Sequence, residues 1–174
     1  ALILDVFELL WKSKLDLKLC IAGKKGWLVD ELMTRIQTHP EFGNRLIFIE
    51  NPNDSEIEEL YKFTTGLIFL SRGEGFGLPL IEAAHYGVPI ICSNIPVFRE
   101  IAGAYATYVN LDSPQSISYE VIKWYALKNK GELPDSRAMP KLNWEESSKC
   151  LLNAIFEENW YWNNGKYWNE KDLY

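Results

Sequence analysis

The chain has 174 residues, 47% of them hydrophobic and 24% charged, with 18 Lys and Arg against 24 Asp and Glu for a formal net charge of −6. That length fits one globular domain with a buried core, and the composition lacks the bias of disordered or repetitive chains. The negative balance argues against an electrostatic grip on nucleic acid and against a polybasic hold on anionic lipid, so any anionic ligand must be held by backbone N–H groups and a few placed cations.

Leu2, Val6, Leu9 and Leu10 recur at helical spacing and predict an amphipathic helix over residues 1–13. The chain therefore opens inside a fold, without the strand that normally precedes such a helix. Asp5, Glu8 and Lys12 interrupt the apolar start, and no basic region precedes it, so it does not read as a signal peptide. Strand-length apolar runs at 17–22, 46–49, 67–70, 89–92 and 107–109 then alternate with helical patterns over 28–38, 55–64, 79–87 and 96–102. Longer helices follow over 114–129 and 144–159. This alternation predicts βαβ units and a Rossmann-like α/β domain over residues 1–159, a parallel sheet with helices on both faces.

Smaller signals refine this reading. Ser55-Glu56-Ile57-Glu58 has capping-box spacing, and Pro79 sits where a first-turn proline is tolerated. Cys20, Cys92 and Cys150 lie far apart and read as small core residues in a reducing compartment. His39 and His85 are the only histidines, which excludes a His-rich metal site. No apolar run is long enough to cross a membrane. Residues 160–174 form an aromatic, turn-rich tail; its acidic neighbours Glu157, Glu158, Glu170 and Asp172 favour packing on protein over a lipid interface.

In an open parallel sheet, ligands bind beyond the carboxyl ends of the strands. The most informative junction of that kind is Ile68-Phe-Leu-Ser-Arg-Gly-Glu-Gly-Phe-Gly-Leu-Pro-Leu-Ile-Glu-Ala83, where an apolar strand meets a loop with Gly73, Gly75 and Gly77 and a helix starts near Pro79. Glycines let the backbone turn tightly and approach a ligand, and the helix start offers free N–H groups and a positive dipole end to an anion. Glu74 and Glu82 flank that anion site and suit hydroxyl donors. Phosphate between two hydroxyl-bearing groups describes a nucleotide sugar. A plain tight turn with two solvated carboxylates is the competing reading. The spacing G-x-G-x-G places Leu78 where the dinucleotide fingerprint needs its third glycine, so that fingerprint is not met.

Glu74-Gly-Phe-Gly-Leu-Pro-Leu-Ile-Glu82 resembles the E-x7-E signature of the family 4 retaining glycosyltransferases, which have the two-domain GT-B fold. Cys20-Ile-Ala-Gly-Lys-Lys-Gly-Trp27, Leu60-Tyr61 with Phe69-Leu-Ser71, Glu82-Ala-Ala-His-Tyr-Gly-Val-Pro89, Ser93-Asn-Ile-Pro-Val-Phe-Arg-Glu-Ile-Ala-Gly103 and Asn143-Trp144 resemble further blocks of that family in the same order. The resemblance implies the C-terminal, donor-binding half of such an enzyme. Glu82 would then accept from the ribose hydroxyls, and Glu74 would position the donor sugar as the catalytic carboxylate. Gly75, Phe76, Gly77 and Leu78 would hold sugar and pyrophosphate, and the loop at Asn51 would face the nucleobase. For that loop a plain strand-to-helix turn is an equal reading. Lys25 could approach the donor, and Arg72 could do so or pair with Glu74, but both read better as solvated surface residues, and His85, which replaces a small residue of the motif, as a surface or groove residue.

The family's pyrophosphate-binding Arg and Lys, its first strand and its N-terminal acceptor half would all lie ahead of Ala1, so the fragment alone is expected to be inactive. No Asp-x-Asp pair stands out, so neither a metal nor any other cofactor is expected. The implied reaction moves a sugar from a nucleoside diphosphate sugar, read as a UDP-sugar, to an acceptor hydroxyl. The setting is surface polysaccharide such as O-antigen, or lipid-linked glycan, in the cytoplasm or at the inner face of the plasma membrane. Two other readings stay open: a nicotinamide-dependent oxidoreductase domain, and a non-catalytic interaction module using the Trp-rich tail.

Overall fold

A computed structural model of the chain describes residues 2–27, 29–142 and 144–156. Two compact units divide it, Ala1–Met139 and Pro140–Tyr174. The first runs α1 (Leu2–Lys12), β1 (Leu19–Gly23), α2 (Asp30–Gln37), β2 (Leu46–Glu50), α3 (Asp54–Phe63), β3 (Leu67–Phe69), α4 (Leu78–His85), β4 (Ile90–Ser93), α5 (Pro96–Ala102), β5 (Thr107–Val109), α6 (Pro114–Lys130) and a 3₁₀ turn at Ser136–Ala138. The predicted elements are all found, with ends shifted by a few residues. β1 starts at Leu19 rather than at residue 17 because the Trp11 indole donates to the Leu17 carbonyl at 2.8 Å, tying that residue to the end of α1.

The capping box of α3 is not the predicted one. Asn53 caps the helix, its side chain accepting from the Glu56 N–H at 3.0 Å while Glu56 accepts from the Asn53 N–H at 2.8 Å. Ser55 lies inside the first turn, where its hydroxyl has no such task. Asn at this position is as good a cap as Ser, and it stands two residues nearer the strand.

All strand pairs are parallel, yet they form two sheets where one was expected: β1–β2, and β3–β4–β5. A slot of about 450 Å³ lies between them, with Lys18 and Cys20 on one side, Gly66 and Ile68 on the other, and Trp124 of α6 among its walls. The main-chain alternation explains why the two edges do not close. Leu19 donates to Arg45, and Gly23 accepts from Asn51, so residues 19, 21 and 23 address β2 and the backbone groups of Cys20 and Ala22 point the other way. Likewise Leu67 donates to Pro89, which leaves the groups of Ile68 on the slot side of β3. The buried Trp124 Nε1 has no hydrogen-bond partner among the described residues.

Side-chain alternation puts core on both faces. Ile91, with Ile68 and Val109, packs with Leu4, Leu10, Ile117 and Val121 of α1 and α6. Ile90 and Cys92 face the other way, onto Leu80 and Ala84 of α4 and Phe98 and Ala102 of α5. All four residues of β4 are buried, as a strand covered on both sides requires. Of the three cysteines only Cys92 is a core residue, against expectation, since Cys20 and Cys150 are exposed. Burial pushes the Cys92 thiol up to about 12, so it stays neutral.

In the second unit α7 (Trp144–Phe156) is amphipathic, with Leu151, Leu152, Ile155 and Phe156 exposed. The aromatic tail at 160–174 lies outside the described residues. Among these, no helix is long and apolar enough to cross a membrane.

Candidate functional site

The glycine loop occupies the carboxyl end of β3, where the parallel sheet and the start of α4 place it. Gly77 is the N-cap of α4, in the left-handed region at φ 93°, and no side chain caps the helix. Leu80 donates to the Gly77 carbonyl at 2.9 Å and closes the first turn. Ahead of it, the N–H groups of Gly75, Phe76, Gly77 and Leu78 find no acceptor among the described residues, and Pro79 has no N–H to satisfy. Four consecutive unpaired donors thus sit at the positive end of a helix dipole, an arrangement that suits an anion.

The three glycines differ in what they do. A Cβ at Gly77 would stand 2.8 Å from the Phe98 ring, so the core and the backbone angle both demand glycine there. Phe98 is itself fixed by the Phe69 ring, 5.4 Å away, at the end of β3. A Cβ at Gly73 or Gly75 would meet nothing within 4 Å, and neither residue has a positive φ. No contact among the described residues calls for glycine at those two positions. The open space in front of them is what a ligand close to the backbone needs.

Glu74 lies exposed in this loop, which is pinned by Ser71 donating to the Gly73 carbonyl at 2.9 Å. No ion pair joins Glu74 to Arg72, which is also exposed. Glu82, one turn into α4, is exposed but held: Tyr61 of α3 donates to its Oε2 at 2.9 Å. The Tyr61 ring stacks on Tyr86 with centroids 5.6 Å apart and planes 6° from parallel. Burial, and then the Glu82 carboxylate, raise the Tyr61 phenol above its ordinary value, so it remains a donor. Sequence reasoning had placed Tyr61 only within a family-like stretch and gave it no role. It lies 21 residues before Glu82, and no local spacing connects them.

The other candidates stand apart. Asn51, at the carboxyl end of β2, has a left-handed φ of 50° and donates its N–H to the Gly23 carbonyl at 3.1 Å. That N–H ties β2 to β1 and is not free for a base. Lys25 pairs with Asp30 at 2.6 Å, both exposed, a contact of little weight in water. His85 is exposed and meets Tyr86 edge-on, centroids 4.9 Å apart. Among the described residues no three His, Cys, Asp or Glu side chains gather as metal ligands would.

Parallel strands covered on both faces, with a glycine loop leading into a helix at a strand's carboxyl end, define the Rossmann-like class of α/β domains. Comparison with known proteins narrows the class. The model of the family "Glycosyl transferases group 1" matches residues 1–138, and the chain belongs to that family. It is 42% identical over 152 residues to the serotype-specific mannosyltransferase WbdA of Escherichia coli, covering 87% of this chain and 19% of that protein. It is 37% identical over 127 residues to the O-antigen chain mannosyltransferase RfbU of Salmonella typhimurium, covering 72% of this chain and 33% of that one. Among solved structures, the pneumococcal O-GlcNAc transferase GtfA, in complex with UDP and GlcNAc, matches with a TM-score of 0.57 at 21% identity, over 79% of this chain and 28% of that chain. That likeness shows the fold, the Rossmann-like α/β half of a GT-B glycosyltransferase. The chain spans about a fifth of the length of the E. coli relative it matches.

Proposed function

We propose that this chain is the donor-binding part of a retaining glycosyltransferase and holds a nucleoside diphosphate sugar at the start of α4. The observation that carries this is the run of four N–H groups at residues 75–78 without an acceptor among the described residues, set between Glu74 and Glu82. Pyrophosphate and sugar lie on those donors. Glu82 accepts from the ribose hydroxyls, and Glu74 positions the donor sugar as charge develops on it. The base lies toward Asn51, held through groups other than its N–H. The names of the relatives support mannose as the sugar and O-antigen as the product. The UDP in the GtfA complex supports uridine as the base. The acceptor, lipid-linked or polysaccharide, is supplied with a further acceptor-binding domain at the cytoplasmic membrane face. No metal takes part: the helix dipole and cations from outside these residues stabilise the leaving diphosphate.

We also read the slot between β1 and β3 as the seat of one more parallel strand leading into α1. The backbone groups of Cys20, Ala22 and Ile68 and the Trp124 indole, without partners among the described residues, support it.

Titration of the chain and of Glu82→Ala with UDP and GDP tests the site. Losing hydrogen bonds to a charged acceptor costs about 1.5–3 kcal/mol, so affinity for the nucleotide that binds falls about ten- to a hundredfold. Unchanged affinity removes Glu82 from the site.

A further inference from the structure

We propose that Tyr61 is the positioning residue for Glu82, fixing the carboxylate in the orientation that two ribose hydroxyls require. This rests on the reading of Glu82 as the ribose-binding group. A glutamate exposed on a helix surface samples several rotamers, and one that must accept two hydroxyls at once benefits from being held before the ligand arrives. Tyr61 supplies that hold. Its single phenolic proton has two acceptors in reach, Glu82 Oε2 at 2.9 Å and the Pro79 carbonyl at 3.4 Å. The shorter contact to a charged oxygen takes it. One lone pair of Oε2 is thereby engaged, while Oε1 and the remaining site on Oε2 stay open to donors.

The phenol is itself fixed. Its ring lies flat on Tyr86, the C-cap residue of α4, four positions after Glu82. The helix that carries the carboxylate therefore also carries the platform for the group that orients it. Tyr61 comes from near the end of α3 and Glu82 from within α4, so two successive helices of the fold are joined by this one hydrogen bond.

Tyr61→Phe keeps the stacked ring and removes only the donor. The test measures binding of UDP and GDP, and of their 2′,3′-dideoxy forms, to the chain, to Tyr61→Phe, to Glu82→Ala and to the double variant. The expected result is a preference for the ribose form that Glu82→Ala abolishes. Tyr61→Phe weakens the ribose form about three- to tenfold, the effect of one hydrogen bond, and leaves the dideoxy form unchanged. The double variant binds no more weakly than Glu82→Ala alone. The dideoxy ligand reports whether the variant remains folded. Tyr61→Phe with unchanged ribose affinity, with equal losses for both ligands, or with a loss that adds to that of Glu82→Ala overturns the positioning role and leaves the ribose site standing. A ribose preference that survives Glu82→Ala, or no binding of either form, overturns the site reading and this proposal with it.

Discussion

At Gly77 the φ of 93° and the Phe98 ring 2.8 Å from a would-be Cβ leave no alternative to glycine, whereas Gly75 is surrounded by open space. The two residues therefore predict opposite phenotypes. Gly77→Val strains the backbone and presses on a fully buried ring, at a cost of about 2 kcal/mol or more, and lowers the melting temperature by about 5 °C or more. Gly75→Val leaves the melting temperature within a degree or so, and places two methyl groups where the diphosphate must approach residues 75–78, weakening nucleotide binding at least about tenfold. Thermal melting and a UDP or GDP titration on both variants check this. A Gly75→Val protein that binds normally would show that the loop is a turn and nothing more. In the sequence the three glycines look alike, because only the backbone angle and the distance to Phe98 separate a structural glycine from one that faces open space. Tyr61 was out of reach for a related reason: its partnership with Glu82 depends on how α3 and α4 lie side by side, which no spacing along the chain encodes.

The elements themselves were largely legible, since β4 and its neighbours carry continuous apolar runs while the helices carry a 3.6-residue period. The misreadings occurred where a side chain competes for a main-chain group: Trp11 holding Leu17 away from β1, and Asn53 rather than Ser55 capping α3. The gap between β1 and β3 could not be read from apolar runs, which mark strands but not which strands pair. If the slot receives a parallel strand, then a chain carrying one more β-forming segment ahead of α1 will show slowed amide exchange at Cys20, Ala22 and Ile68, whose backbone groups address the slot. The amides of Leu19 and Leu67, already donating to Arg45 and Pro89, will change little. Unchanged exchange at the slot-facing amides would mean that the slot is filled by something other than a strand.

At the scale of the molecule, a net charge of −6 and the proposed anionic ligand are compatible if the attraction is confined to four amides and one helix end, where donor geometry matters more than long-range field. A parallel fold and the loop at the carboxyl end of β3 support placing the proposed ligand at the start of α4. The residues on which the proposal depends are few, and their N–H groups can be watched one at a time. The most direct test is a ¹⁵N-resolved NMR titration of the chain with UDP and with GDP. Binding at the proposed site will shift the amides of Gly75, Phe76, Gly77 and Leu78 together, with one common saturation curve, and will leave the amides of Leu19 and Leu67 in place. A nucleotide that saturates the protein while those four amides stay still, or that moves only residues elsewhere, would contradict the account.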